Sequence, residues 1–391
     1  MADPGTLAGK AHNWRGALFS AFCLVYGCMV VMCAAAHYLS AWARFPVLLG
    51  AVWLVVECWS VFLLVCACRY HLFQWAAKAL GLSFLGSGGQ QQMRRRTAKT
   101  SREGRGDWFT FASCEMQGWR ERMEDAVVCS PKLEGGPEQA ALFAVFDGHG
   151  GSEASSRAAE LIEARVARRL AGEEAPGEAL RQALREVEED LRQHNTAAGH
   201  LRQAGRDGGR FDFVGSTAAV ALLTRKTVTV VNVGDSRVFK CCNGECVPLT
   251  RDHKPESPRE RRRIEAAGGT VVLFGPCYRV DCSLNLSRSL GDFRFKDPSL
   301  APEDQKISPV GDVTVSEISP QDEFLVVACD GLFELMTWKS VCAYIRDRIH
   351  RMPLTQIAEG LLDECCSPNM IATCGRGTDN ESVIIVKLQD P

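Results

Sequence analysis

The distribution of apolar and polar positions divides the chain into three stretches. Residues 17–39 contain no Asp, Glu, Lys or Arg, and residues 46–68 contain only Glu57. A helix rises about 1.5 Å per residue, so either stretch can cross a hydrocarbon core of roughly 30 Å. The pattern therefore predicts transmembrane helices over 17–39 and 46–68, joined by a link that allows only a tight hairpin. Lys10 and Arg15 precede the first span, Arg44 sits in the link, and Arg69, Lys78, Arg94, Arg95 and Arg96 follow the second. That bias places both ends of the hairpin in the cytoplasm, with residues 1–16 as a cytoplasmic N-terminus. A second apolar stretch directly after the first argues for an anchor in a lipid bilayer rather than a cleaved leader. Residues 69–107 read as a juxtamembrane segment and a basic flexible linker, because 86–107 (GSGGQQQMRRRTAKTSREGRGD) offers almost no apolar surface to bury.

From Trp108 onward the period changes. Short β-branched runs at 142–146, 218–223, 228–233, 324–328 and 383–388 alternate with turn residues and predict strands. Ala158, Ile162, Val166 and Leu170 recur at helical spacing and predict a helix over 152–170. Leu180, Leu184, Val187 and Leu191 predict a second over 178–194, and 338–366 reads as a third helical region. Strands with packed helices and no internal repeat indicate one α+β domain over 108–391.

Charge and cysteine content narrow the function classes. Lys and Arg number 45 against 47 Asp and Glu, so no global field points to nucleic acid as a partner. The basic run RERRR at 259–263 lacks stacking aromatics and reads as the solvated face of a helix. The 18 cysteines are scattered, with adjacent pairs at Cys241/Cys242 and Cys365/Cys366, and no CxxC is matched by a second pair or by histidines. Reduced thiols in the cytosol, without a structural zinc site, are the expectation.

The acidic residues carry the candidate chemistry. In FAVFDGHGG (143–151) a hydrophobic strand ends in Asp147, followed by Gly148 and His149. A strand end fixes a carboxylate, and the glycines allow backbone or metal to approach closely. The arrangement recurs: VVNVGDSR sets Asp235 after a strand, SRSLGD sets Asp292 after an apolar run, LVVACDG sets Asp330 after a strand, and GTDN sets Asp379 before one. Five acids at strand ends can converge. Oxygen ligands of this kind suit Mg²⁺ or Mn²⁺ better than zinc. A two-metal site lowers the pKa of a water and clamps a phosphoryl group, while a nearby imidazole can protonate the leaving alkoxide. Hydrolysis of a phosphate monoester follows from such a site. Asp235 and Ser236 fit a tight hairpin turn equally well, GST (215–217) reads as a fold element, and Lys254 and Pro255 read as loop-shaping residues.

Taken in order, GWRERMED (118–125), FDGHGG, GST, GDSR (234–237), DHKP (252–255), RIEAAGG (263–269), SRSLGDF, ACDG and GTDN resemble the metal-dependent protein phosphatase, or protein phosphatase 2C, family from about 109 to 388. The resemblance implies a four-layer αββα sandwich, two antiparallel sheets each flanked by a helix pair, here preceded by the two membrane spans. It implies that Asp147 bridges two ions of Mg²⁺ or Mn²⁺, and that the Gly148 carbonyl, Asp330 and Asp379 complete their shell. Glu124, with Asp125 beside it, holds a metal-bound water; Asp292 and Asp235 bind the further ion seen in some members. Arg120 grips substrate phosphate and His149 acts as general acid. The implied substrates are phosphoserine and phosphothreonine proteins. A membrane-tethered scaffold that binds phosphoproteins without hydrolysis is the alternative; it would show a lost ligand, and none is lost. A phosphatase of small phosphorylated metabolites is a further reading that only the family resemblance disfavours.

Overall fold

The run Ala141–Phe146 is buried at every position because both of its faces are covered. It forms strand β4, in which Leu142, Ala144 and Phe146 pack into one core while Phe143 and Val145 pack into another. The split follows the two-residue period of a strand. In this computed structural model residues 94–137, 139–203 and 212–388 are described. The two predicted spans, residues 17–39 and 46–68, lie outside them. Among the described residues no helix is long and apolar enough to cross a membrane.

Two antiparallel sheets enclose the second core. With strands numbered along the chain, one sheet has the order β14 (Asp312–Glu317), β8 (Thr227–Val233), β7 (Ala218–Leu223), β4 and β3 (Ala126–Ser130). The other runs β1 (Arg96–Arg105), β2 (Phe109–Gly118), β16 (Glu381–Leu388), β15 (Asp322–Ala328), β9 (Arg237–Cys242) and β10 (Glu245–Pro248). Between them Phe109 and Phe143 meet edge to face at 5.7 Å; a fully buried Phe contributes roughly 1.5–3 kcal/mol. Helices α1 (Glu153–Ala171) and α2 (Pro176–Gln203) cover the five-stranded sheet through Ile162, Val166, Leu180 and Leu184. A further short helix, α3 (Pro258–Ala266), lies elsewhere, on an excursion described below. On the six-stranded sheet, α4 (Trp338–Arg346) and α5 (Leu354–Cys365) bury Val341, Ile345, Ile357 and Leu361 against Phe239, Phe324 and Val383. Three separate cores fill the gaps of an αββα sandwich, as the sequence resemblance implied.

The five predicted strands are present, and the third helical region divides into α4 and α5. Every described cysteine is a free thiol. Two expectations need correction. The flexible linker does not extend to 107: residues 96–105 form β1, whose partners run from Lys99 opposite Met116 to Arg105 opposite Thr110. The domain therefore starts about twelve residues before 108. A backbone ladder needs no apolar side chains, and an edge strand tolerates charge, so composition gave no warning. Lys99 pairs with Asp363 at 2.7 Å and Ser101 donates to Glu359 at 2.6 Å, which ties the strand to α5.

The second correction concerns the basic run 259–263. It lies in α3, which joins the hairpin β11 (Val271–Phe274) and β12 (Cys277–Val280) on an excursion with its own small core of Ile264, Val280, Phe295 and Ile307. Glu260 and Ile264 are buried, and Arg263 reaches inward to the Gln305 carbonyl at 2.9 Å. Only part of the run is solvated. Helical periodicity places Glu260, Arg263 and Ile264 on one face.

Candidate metal centre

The ends of central strands from both sheets bring carboxylates together. Asp147 follows β4; its N–H donates to the Thr217 hydroxyl at 3.1 Å and its carbonyl accepts the Thr217 N–H at 2.8 Å. Asp235 stands in the turn from β8 to β9, after Gly234 with φ +103°, a value that suits glycine. Asp330 opens the short 3-10 turn that follows β15. Each offers a carboxylate oxygen, and the three oxygens lie within 4.8 Å of one another.

Negative charge is in excess there. Burial first, then the neighbouring carboxylates Asp125, Asp330, Asp379 and Asp235, holds Asp147 well above the usual carboxylate range. Asp330 is raised in the same way by burial, Asp235 and Asp379, with Lys254 opposing. Among the described residues no side chain donates a hydrogen bond to the Asp147 or Asp330 carboxylate. The nearest cations serve other acids: Lys254 pairs with Asp235, and Arg120 Nη2 with Asp379 Oδ2 at 2.5 Å. Three converging oxygen donors with a single partner cation among the described residues, Lys254 on Asp235, keep an excess of negative charge that fits hard divalent cations such as Mg²⁺ or Mn²⁺.

The remaining expected residues occupy distinct positions. Asp379 precedes β16 and faces Arg120 rather than the oxygens of the trio. Gly148 must be glycine, because a Cβ there would lie 2.2 Å from the Glu124 carbonyl oxygen. The Glu124 N–H donates to Asn380 Oδ1 at 2.9 Å, and burial raises its carboxyl group against the pull of Arg120 and His149. Asp125 is buried; one oxygen accepts from Ser382 at 2.7 Å, and burial pushes the group to about 7.

Asp292 stands apart from the trio. Its Oδ2 lies 2.8 Å from His149 Nε2 and accepts from the Ser289 hydroxyl at 2.5 Å. Burial alone would raise Asp292 and lower His149; their mutual attraction outweighs it, so Asp292 is held down and His149 is held up. The strip made by β13 (Leu290–Gly291), β6 (Gly215–Ser216) and β5 (Gly148–His149) brings them together. A Cβ on Gly215 would lie 2.2 Å from Asp292 Oδ2, so this pair too depends on a glycine.

Two residues escaped the sequence reading. Lys254, read as loop-shaping, neutralises Asp235. Asn380 donates to the Gln117 and Arg122 carbonyls at 2.8 and 3.0 Å and so fixes the loop that carries Arg120. Both belong to quoted motifs, DHKP and GTDN, which is the signal that could have found them.

A sequence model of the protein phosphatase 2C family matches residues 109–373. The chain is 36% identical over 319 residues to protein phosphatase 2C homolog 2 of Aspergillus fumigatus, covering 75% of this chain and 68% of that one. It is 35% identical over 305 residues to probable protein phosphatase 2C 3 of Paramecium tetraurelia, covering 76% and 98%. Among solved structures, a sex determining protein of C. elegans superposes with a TM-score of 0.57 at 25% identity, covering 75% of this chain and 65% of that one. A serine-threonine phosphatase 2C of Toxoplasma gondii superposes with a TM-score of 0.59 at 21% identity, covering 75% and 99%, a likeness of fold.

Proposed function

The chain belongs to the protein phosphatase 2C family and is a metal-dependent protein serine/threonine phosphatase, and on that premise we propose that Asp147, Asp235 and Asp330 hold its divalent cations. The convergence of their three oxygens within 4.8 Å, with Lys254 on Asp235 as the one paired cation among the described residues, carries this reading. Two ions in the main site, completed by the Gly148 carbonyl, Asp379 and Glu124, is the arrangement we favour. Bound Mg²⁺ or Mn²⁺ supplies Lewis acidity, which lowers the pKa of water and offsets charge on a phosphoryl group.

The chain's own residues supply the rest. Arg120 is half exposed and bonds Asp379 through one nitrogen, so the remainder of its planar fork is open to a phosphoryl group. His149, whose charged form Asp292 favours, gives a proton to the leaving serine or threonine oxygen. Asp292 serves in this reading to charge and orient the imidazole, in place of the further-ion role. Asp125 is buried and accepts from Ser382, and this reading gives it no metal.

We further propose that the hairpin of residues 17–39 and 46–68 anchors the enzyme in a bilayer with the catalytic domain in the cytosol, on the strength of the apolar runs and flanking charge. Phosphoproteins at the same membrane would then meet the enzyme at raised local concentration. Protease accessibility of the domain in sealed microsomes tests the orientation; protection from added protease would reject it.

The catalytic reading is tested with full-length protein in detergent and a phosphothreonine peptide. Turnover should require Mn²⁺ or Mg²⁺, stop in chelator, and fall by on the order of a thousandfold in Asp147→Ala. Turnover that survives both chelation and substitution would reject the metal centre. A folded wild type inert with every metal would favour the phosphoprotein-binding scaffold.

A further inference from the structure

The basic segment ahead of β2 does more than close a sheet edge. From Lys99 opposite Met116 onward β1 and β2 pair regularly, but Arg96 lies opposite Gly118, so three steps on β1 span two on β2. Such a bulge re-aims the side chains around it. Arg96 Nη1 donates to the Glu121 carbonyl at 3.1 Å, in the middle of the loop that carries Arg120 and Glu124. Arg95 donates through Nη2 to the Cys366 carbonyl at 3.1 Å and through Nε to the Cys366 thiol at 3.2 Å. The next carbonyl, that of Ser367, accepts from the Trp119 indole at 2.8 Å. Arg96 therefore ties the loop directly, while Arg95 holds the Cys366 segment next to the carbonyl on which the loop's Trp119 rests.

We propose that Arg96, with Arg95 behind it, is a positioning residue for phosphate recognition. Arg120 is half exposed, and its own side chain has a single tie, to Asp379. Its backbone is held by what surrounds it: Gln117 Nε2 donates to the Arg120 carbonyl at 2.9 Å, Asn380 secures Gln117 and Arg122, and Arg96 secures Glu121. Of these ties only the Arg96 one comes from β1, the strand that composition assigned to a linker. Arg96, part of what composition read as a basic flank, spends a donor on the loop that carries Arg120, while Arg95 spends its donors on Cys366. The inference rests on the reading of Arg120 as the phosphate-gripping side chain.

The test uses full-length protein in detergent with Mn²⁺, initial rates on a phosphothreonine peptide, and inorganic phosphate as competing product. Arg96→Ala should raise KM and the phosphate inhibition constant together by about three- to tenfold, the size of one hydrogen bond, with kcat nearly unchanged. Arg96→Lys, which can still reach a carbonyl with one N–H, should restore most of the loss. Lys99→Ala removes an ion pair from the same strand without touching the loop and should move neither constant. If Arg96→Ala fails to fold, Arg96→Met, which keeps the stem and removes the donors, takes its place, with the same shift expected. Equal shifts in the Arg96 and Lys99 variants, or none in either, would reduce Arg96 to a staple of the strand and overturn the inference. If Arg120→Ala itself leaves both constants unchanged, the reading of Arg120 fails and takes the inference with it; a large effect of Arg120→Ala with none of Arg96→Ala sinks the inference alone.

Discussion

Two of the places where the described residues bury charge treat it in opposite ways. Around Asp147, Asp235 and Asp330 carboxylates crowd together, with cations only at the margins. Beneath α3, Arg288 grips both oxygens of Glu260 at 3.0 and 2.6 Å, Arg263 adds a third bond at 2.5 Å, and Arg288 also reaches Asp312 at 2.9 Å. Burial pushes Asp147, Asp330 and Glu260 alike upward, so burial cannot explain the difference between the two groups. Neighbours decide it. Asp147 and Asp330 stay well above the carboxylate range, whereas the arginines outweigh burial and draw Glu260 down to about 2. A cluster short of positive charge can take a cation from solution; a matched one is already complete and works as a strut. The two are neighbours through His253, whose Nδ1 accepts the Gly234 N–H next to Asp235 while Nε2 faces Asp312 at 3.2 Å.

Replacing one acid in each group breaks the comparison most sharply. Asp330→Asn should cost on the order of a thousandfold in metal-dependent turnover, because a ligand is lost. In chelator the same variant should be more stable than wild type by on the order of 1–3 kcal/mol at pH 8, since a carboxylate repelled by its neighbours is gone. The pH dependence carries the sign. The folded-state pKa of Asp330 is raised, so its stability contribution is intact below the unfolded carboxyl pKa and lost as pH rises toward the folded one. The advantage of Asp330→Asn should therefore vanish near pH 3 and grow toward pH 8. Urea denaturation across that range reads both; a metal-free variant less stable than wild type at pH 8 would refute the unmatched-charge account.

Glu260→Gln should act in the opposite sense. It leaves Arg263 and Arg288 buried against a neutral group and should cost about 3–5 kcal/mol. Here the folded-state pKa is lowered, so the contribution is present above the unfolded carboxyl pKa of roughly 4.3 and is lost as pH falls toward about 2. The deficit of Glu260→Gln should thus be full at pH 7 and shrink as the solution is acidified. A deficit independent of pH between 7 and 3.5 would mean that shape, not charge, sets the cost.

Sequence exposed these two groups unequally, for physical reasons. The acids of the metal centre follow apolar strands directly, so Asp147 and Asp330 announce themselves as short local patterns. Pairings across the chain leave no such trace: His149 and Asp292, or Glu260 and Arg288, meet only after the chain has folded. Asp235 was legible as a turn and equally as a ligand; its place among the three oxygens needed the sheets to come together. The strand pattern was open to view, yet its arrangement as a sandwich came from resemblance, because alternation tells which face is buried but not against what. β1 was hidden because its order comes from backbone pairing with β2, which composition does not encode.

The smallest expected effect tests whether burial matters within the strut itself. Asp312 accepts from two arginines, Arg288 with its side chain 3% exposed and Arg259 with its side chain 69% exposed. At 2.9 and 3.0 Å the contacts are nearly the same length, so distance alone predicts equal worth. Solvent predicts otherwise. An exposed guanidinium recovers in water most of what it gains from the carboxylate and loses side-chain freedom in holding it, so Arg259→Ala should cost no more than about 1 kcal/mol. Arg288→Ala leaves the buried carboxylate of Glu260 with Arg263 as its remaining cation and should cost more, toward the roughly 3–5 kcal/mol expected for breaking a buried pair. The urea midpoints of the two single variants, measured at pH 7 and again in high salt, decide between the accounts. A marked difference, with the small Arg259 effect erased by salt, supports charge matching in a screened interior; equal losses would mean that contact length, and not burial, governs this network.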